Sequence, residues 1–176
     1  MRTVTIVAYD KQWPGLFEAE SSLLLATLGE VITRIHHIGS TSVPGLAAKP
    51  VIDILLEVVD LHQLDNLNAA MERAGYMARG ENGIPNRRYF TKGGNQRSRQ
   101  VHAFAVGDRQ IIKHLVFRDY LIKNKEAAEQ YAEVKRAAAR AGGNDIHRYS
   151  AFKADFIEHH LRLALMDLEL GNVCAR

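Results

Sequence analysis

Residues 37–57 read HIGSTSVPGLAAKPVIDILLE, and this segment is the most informative part of the chain. It joins an apolar run, residues 31–38, through a turn to a second apolar run, residues 51–59, which carries one carboxylate, Asp53. The pattern predicts a strand, a turn and a second strand. Glycine permits close approach of a ligand to the backbone, hydroxyl groups donate to phosphate oxygens, and a carboxylate offers hard oxygen to a metal ion. The segment therefore predicts a site for phosphate and a divalent cation.

Candidate phosphate ligands fall in two parts of the chain. Those in the turn segment are Gly39, Ser40, Thr41, Ser42 and Lys49. The others come from a basic region, residues 79–118, where nine lysine and arginine residues stand against two acidic ones. Such a region is suited to face a nucleotide or nucleic acid, although a solvated loop would have the same composition. Its candidates are Arg88, Arg99 and Arg118, because guanidinium groups match phosphate oxygens, and Arg118 is equally suited to pair with Asp119.

Length and composition restrict the class of protein. The 176 residues, 47% hydrophobic and 24% charged, are typical of a globular protein and suit one domain. We expect an α/β core over residues 1–122 and C-terminal helices over residues 123–176. The single cysteine, Cys174, excludes a disulfide framework within one chain. No segment has the pattern of a signal peptide or a membrane span, so we expect a cytoplasmic protein with no membrane partner.

Apolar periodicity predicts strands first and helices last. Strand-like alternation occurs at Val4, Ile6 and Ala8, and two further strands are predicted at residues 88–91 and 100–106. Helical spacing occurs at residues 16–28, 61–74, 111–123, 126–141 and 148–170, with a break at residues 142–145. Because no helix separates the strands at 88–91 and 100–106, the fold is not doubly wound. The sequence predicts a small mixed β-sheet flanked by helices, with a helical C-terminal third.

The strand at residues 51–59 places Asp53 on the face opposite its core residues. Period two puts Ile52, Ile54, Leu56 and Val58 together on the core face. A carboxylate on a central apolar strand needs a partner, which is either a cation or a nearby turn. Glu57 lies four residues further on, about 13 Å away, which is too far to bind the same ion unaided.

Several separated motifs resemble the GrpB family, whose members are similar in fold to nucleotidyltransferases. The first motif is residues 37–54, and the second is Tyr9-Asp10-x-x-Trp13 near the start of the chain. Residues 117–121 and Lys153-x-x-Phe156 resemble the C-terminal helices of the family. These motifs occur in the family's order, so the resemblance covers most of the chain.

The nucleotidyltransferase resemblance implies a Gly-Ser turn followed by a strand with two acids, which bind two Mg²⁺ ions together with a third acid. Gly39, Ser40 and Asp53 match this pattern, whereas Val51 and Leu55 occupy the two positions open to the second acid. A standard two-metal site therefore does not carry over.

The third acid of the superfamily pattern has no clear counterpart, because the strand at residues 100–106 offers His102 instead. The GrpB resemblance implies a His-x-His pair there, and Phe104 replaces its second histidine. Facing Asp53, His102 is a candidate metal ligand, hydrogen-bond partner or general base. A buried structural histidine is the alternative.

Three functions from different classes fit these observations. The first is Mg²⁺-dependent nucleotidyl or phosphoryl transfer, with Asp53 and His102 as catalytic and metal-binding residues. The second is a nucleotide-binding module without catalysis, which the incomplete acid pair favours. The third is protein interaction through the leucine-rich helical tail. The expected ligand is a nucleotide or another phosphate-containing small molecule. Nucleic acid is a possible partner that the sequence does not specifically indicate, and the sequence does not fix the oligomeric state.

Overall fold

The computed structural model describes residues 5–142 and 146–174 of the chain. Its strands are β1 (Ile32–Ile38), β2 (Ile52–Val58), β3 (Tyr76–Ala78), β4 (Arg88–Lys92) and β5 (Arg99–Ala105). Its helices are α1 (Trp13–Leu28), α2 (Leu61–Asp65), α3 (Asn68–Arg73), α4 (Arg109–Lys123), α5 (Lys125–Gly142) and α6 (Ile146–Cys174). The predicted α/β fold with a helical C-terminal third is confirmed.

The five strands form one mixed sheet in the order β1-β2-β5-β4-β3. β2 and β5 are parallel, and the remaining neighbours are antiparallel. A parallel pair needs a long crossover, which the segment containing α2, α3, β3 and β4 provides. β4 and β5 follow each other without an intervening helix, as predicted. The central pair places Asp53 beside Gln100 of β5.

β2 is buried on both faces, which explains its nearly continuous apolar sequence. Ile52, Ile54, Leu56 and Val58 join the main core together with residues of α1 and α3, as their spacing predicts. On the opposite face, Leu55 packs in a smaller cluster with Ile38, Phe104 and Ile111. Helix α4 therefore covers this face of β2 at Leu55, and not at Asp53 itself.

The C-terminal helices pack on the segment between β1 and β2. Val43, Leu46 and Ala47 form a buried cluster with Leu121 of α4 and Tyr131 of α5. Helix α6 lies against α4 and α5 and leaves parts of its apolar surface exposed at Leu163, Met166 and Leu168. This packing holds the helical third beside the predicted phosphate turn.

Two predictions about local structure fare differently. The three C-terminal helices are confirmed, and each extends slightly beyond its predicted range. Residues 143–145 of the predicted break lie outside the described residues. The strand predicted at Val4, Ile6 and Ala8 is wrong for residues 5–8, and Val4 lies outside the described residues. Val7 forms a single antiparallel bridge with Ala48, and this one pair does not extend into a ladder.

No helix in residues 5–142 or 146–174 is both long enough and apolar enough to cross a lipid bilayer.

Candidate functional site

The turn after β1 is held directly against Asp53. β1 ends at Ile38, which pairs with Asp53 of β2, so the next residue, Gly39, lies over the carboxylate. Gly39 has φ 71°, and a Cβ atom there would lie 2.7 Å from Asp53 Oδ2. Both the left-handed backbone and the close approach require glycine. The predicted Gly39-to-Asp53 motif therefore forms one compact site.

The hydroxyl groups of the turn mainly hold its shape. Residues Ser40–Ser42 form a short 3₁₀ helix. The Ser42 hydroxyl donates to the Gly39 carbonyl at 2.5 Å, and Thr41 Oγ1 lies 2.9 Å from His37 Nε2. Ser40 lines the same cleft as Tyr131 of α5, and its interaction with the Tyr131 phenol partly opposes the rise in the pKa of that phenol caused by burial. Gly39, Ser40 and Thr41 line the adjacent cleft.

Asp53 is a charged residue at the floor of this cleft. Its side chain is 24% exposed, and Oδ1 lies 3.4 Å from His102 Nε2. Burial disfavours the charged carboxylate, but the His102 hydrogen bond and the charges of His102, Lys49 and Lys153 hold the pKa of Asp53 below its ordinary value. Asp53 therefore remains an anion near neutral pH.

His102 contacts Asp53 but is not among the residues that line the cleft. Its ring packs against Tyr89 at 5.2 Å and against His114 of α4 at 5.6 Å between centroids. Its Nδ1 is buried and has no hydrogen-bond partner within the described part of the chain. Burial, together with the charge of His102, lowers the pKa of His114 to about 4, so this neighbour is neutral near pH 7.

The cleft between the sheet and the C-terminal helices has a volume of about 810 Å³, within the range of small-molecule sites, roughly 300–1,000 Å³. Its described lining carries one carboxylate, from Asp53, against five lysine and arginine side chains. These cations are Lys49, Arg79, Arg97, Lys135 and Lys153. The cleft is therefore a strongly positive site with one acid at its floor.

Two of these lysines come from the helical third and are partly withdrawn from water. Lys135 of α5 is 2% exposed, donates to the Ala47 carbonyl, and lies 4.6 Å from the centre of the Tyr131 ring. Burial and neighbouring cations, including Lys153, lower the pKa of Lys135 to about 7. Burial and the charge of Lys49 lower the pKa of Lys153 to about 8, against the opposing effect of Asp53. The lowered pKa values show that burial and mutual repulsion disfavour the charged forms of these lysines.

The structure places the other predicted phosphate ligands away from the cleft lining, with the exception of Lys49. Arg88 forms a two-point pair with Asp65, at 2.6 and 2.9 Å. Arg99 pairs with Glu20 at 3.2 Å. Strand alternation explains both positions, because the face that carries Arg88 and Arg99 is the α1 side of the sheet, whereas Tyr89 and Gln100 face the cleft.

The third of these arginines, Arg118, forms hydrogen bonds with Asp119 and with the backbone of β1. Its Nε donates to Asp119 at 2.8 Å, which is the pairing left open by the sequence, and Nη1 donates to the His37 carbonyl at 3.1 Å. Arg118 therefore supports the end of β1 just before the turn.

Sequence reasoning did not assign four of the five cations of the cleft to the site, namely Arg79, Arg97, Lys135 and Lys153. The available signal was a lysine at a helix position otherwise used for packing. On α5, Lys135 follows the buried Tyr131 by four residues, and on α6 Lys153 follows the buried Tyr149 by four residues. A lysine on a packing face is unusual unless a partner compensates its charge.

The residues do not fit a two-metal centre. No group of three histidine, cysteine, aspartate or glutamate side chains suited to hold a metal ion occurs in residues 5–142 and 146–174. Val51 and Leu55 have buried hydrocarbon side chains, so neither position supplies the missing acid. Asp53 by itself fits a different arrangement, in which one Mg²⁺ is held by a single carboxylate and the phosphates of a ligand.

The α/β fold is similar to that of solved terminal uridylyl transferases. A solved structure titled as a cytoplasmic RNA terminal U-transferase superposes with a TM-score of 0.53 and 14% identity, covering 78% of this chain and 41% of that chain. A second, of Cid1 in complex with its short product ApU, gives a TM-score of 0.53 at 17% identity, covering 77% and 43%. At these identities the likeness concerns the fold alone.

The chain belongs to the GrpB family, because the family model described as GrpB protein matches residues 3–163. The crystal structure of conserved protein GrpB from Enterococcus faecalis superposes with a TM-score of 0.89 and 38% identity, covering 93% of this chain and 99% of that one. The UPF0157 protein YqkA of Bacillus subtilis is 41% identical over 157 residues, covering 89% of this chain. The chain spans 46% of the length of that relative.

Proposed function

We propose that this protein binds a nucleotide, with its phosphates in the cleft between the Gly39–Ser40 turn and the C-terminal helices. The observation that carries this proposal is the charge of the cleft, where five cationic side chains and a close-approach glycine surround one carboxylate. Basic side chains and a glycine-containing turn are the groups that bind phosphate in proteins. The volume of about 810 Å³ suits a ligand of nucleotide size.

Mg²⁺ enters this proposal as a single ion that accompanies the nucleotide. Asp53 would hold it, because Asp53 is the carboxylate that the described lining presents to the cleft. When bound, the ion would neutralise phosphate charge and polarise phosphate oxygens. His102 would keep Asp53 oriented and charged through its contact at 3.4 Å.

Transfer of a nucleotidyl or phosphoryl group is a second candidate function, favoured by the Asp53 and His102 pair beside the turn. It is tested by incubating the protein with Mg²⁺ and each of ATP, GTP, CTP and UTP, and measuring release of pyrophosphate or nucleoside diphosphate. Metal-dependent release that disappears in Asp53→Asn supports transfer. Because water is the acceptor in this assay, nucleotide binding without any release would exclude transfer to water, that is, hydrolysis of the nucleotide.

The binding proposal is tested by isothermal titration of the same four nucleotides in Mg²⁺ buffer. We expect saturable binding of at least one nucleotide, and we expect Gly39→Ala to abolish it, because the new Cβ would meet Asp53 Oδ2 at 2.7 Å. Gly45→Ala is the matched control, since φ is +80° there but no atom lies within 4 Å of the added Cβ. Absence of binding by all four nucleotides to the folded protein would overturn the proposal.

A further inference from the structure

We infer that Lys49, Lys135 and Lys153 form a lysine clamp that holds a polyphosphate group even when the single Mg²⁺ ion proposed above is absent. This inference rests on the proposed function, since it states how the same cleft neutralises the phosphates of its ligand. The ligand chemistry is a chain of linked phosphates, as in a nucleoside triphosphate or inorganic tripolyphosphate.

The three lysines converge from three separate elements. Lys49 lies in the loop before β2, Lys135 on α5 and Lys153 on α6, and all three line the cleft. The ammonium groups of Lys49 and Lys153 lie 5.5 and 4.3 Å from the centre of the Tyr149 ring. This shared ring brings two positive charges from distant parts of the sequence to the same wall of the cleft.

A second tyrosine connects the clamp to the phosphate turn. Lys135 lies over the Tyr131 ring, and Tyr131 packs with Val43, directly after the turn, and lines the cleft beside Ser40. Lys135 also donates to the carbonyl of Ala47, in the loop that leads from the turn towards Lys49. Lys135 therefore fixes the loop and adds positive charge behind the turn, while the half-buried Lys49 and Lys153 are placed to contact phosphate oxygens.

Two of the three lysines, Lys135 and Lys153, have no ion-paired carboxylate in the described residues. Among residues 5–141 and 147–169, no carboxylate forms an ion pair with Lys135 or Lys153. Asp53 acts on Lys153 through space, and its side-chain hydrogen-bond partner is His102, at 3.4 Å. Buried like charges without a counterion are costly, so such a cluster is typical of a site that an anion completes.

The clamp accounts for the mismatch with a two-metal site. A polyphosphate carries several negative charges, and bringing them into a partly buried cleft requires positive charge nearby. Metal ions held by several acids are one source of that charge, but Val51 and Leu55 stand where the second acid would be. Three lysines supply it here with side chains of the protein.

The clamp is tested by isothermal titration of tripolyphosphate and of ATP at pH 7, once in excess EDTA and once in excess MgCl₂. We expect both compounds to bind in EDTA, with dissociation constants within about tenfold of those in MgCl₂. In EDTA, Lys49→Gln and Lys153→Gln should each weaken binding by about tenfold or more, as loss of a charge-assisted contact does. Lys125→Gln, an exposed position on α5 outside the cleft, is the charge-matched control and should bind as the parent protein does.

The outcomes separate the clamp from the proposed function. Binding that requires MgCl₂ and vanishes in EDTA would overturn the clamp and leave nucleotide binding intact. Equal weakening by Lys125→Gln and Lys153→Gln would also overturn it, because the effect would then be one of net charge alone. Absence of binding in both buffers, with the thermal unfolding of the protein unchanged, would overturn the clamp and the proposed function together.

Discussion

Two clusters of buried charge lie on opposite faces of the sheet, and they are completed in different ways. On the α1 face, the Glu20 carboxylate accepts from the Tyr76 phenol at 2.8 Å, from Lys92 at 2.7 Å and from Arg99 at 3.2 Å. On the cleft face, Lys135 and Lys153 lie over tyrosine rings without an ion-paired carboxylate in the described residues. The Glu20 cluster is satisfied by the protein itself, whereas we propose that an added anion completes the cleft cluster.

The pKa values of the two clusters reflect this difference. Around Glu20, burial favours the neutral acid, but Lys92, Tyr76 and Arg99 outweigh it and lower the pKa of the carboxyl group. In the cleft, burial and mutual repulsion act in the same direction and lower the pKa of Lys135 to about 7 and of Lys153 to about 8. The surroundings of Glu20 thus favour its charged form, whereas the surroundings of Lys135 and Lys153 disfavour theirs.

The largest expected effect comes from breaking the satisfied cluster. Glu20→Gln would leave Lys92 and Arg99 without their anion, and removal of one partner of a buried pair lowers the free energy of unfolding by about 3–5 kcal/mol. Urea denaturation measures this loss. Glu18→Gln, an exposed position on the same helix, is the control and should change the free energy of unfolding by less than about 0.5 kcal/mol. Equal effects of the two variants would contradict the comparison.

A smaller effect is expected from the pH dependence of stability. Because the pKa of Lys135 is lowered from 10.5 to about 7 in the folded protein, the unfolded chain binds more protons between these two values. The free energy of unfolding contributed by this group therefore rises with pH from about 7 to 10.5. Lys135→Met removes the titrating group and should flatten this rise. Denaturation curves at pH 7, 8 and 9 measure the slope, and an unchanged slope in Lys135→Met would contradict the burial of a charged Lys135.

The smallest expected change in stability comes from a comparison of two arginines of the basic region, Arg88 and Arg97. Arg88→Ala breaks the partly exposed pair with Asp65 and should lower the free energy of unfolding by about 1 kcal/mol, with nucleotide binding unchanged. Arg97→Ala removes a cation that lines the cleft and should weaken nucleotide binding by about tenfold. Calorimetric titration of both variants makes the comparison. Weakened binding in Arg88→Ala and not in Arg97→Ala would reverse the assignment of the two faces.

Local patterns predicted the fold well because the elements that build it are local. The Gly39-to-Asp53 segment combines a turn that requires glycine with a strand whose apolar residues alternate, and both signals are readable without knowing any tertiary contact. The position of His102 beside Asp53 followed from the strand order that the resemblance implied. The prediction of a strand at Val4, Ile6 and Ala8 was wrong for residues 5–8, because alternation of three residues does not reveal whether a partner strand exists.

The cationic residues of the site were harder to predict because their roles depend on which face each element presents. Arg88 and Arg99 have the right chemistry, but the register of β4 and β5 turns them toward Asp65 and Glu20. Lys135 and Lys153 lie over 80 residues from the turn, and only the packing of α5 and α6 brings them to it. A lysine at a helix packing position signals a buried charge, but it does not tell where that charge points.

The most direct test of the central claim is a crystal structure of the protein with a non-hydrolysable ATP analogue. The account predicts that the phosphates lie between the Gly39–Ser40 turn and the ammonium groups of Lys49 and Lys153, within hydrogen-bond distance of at least one of them. An analogue bound elsewhere, or a cleft that stays empty at saturating analogue concentration, would contradict the account.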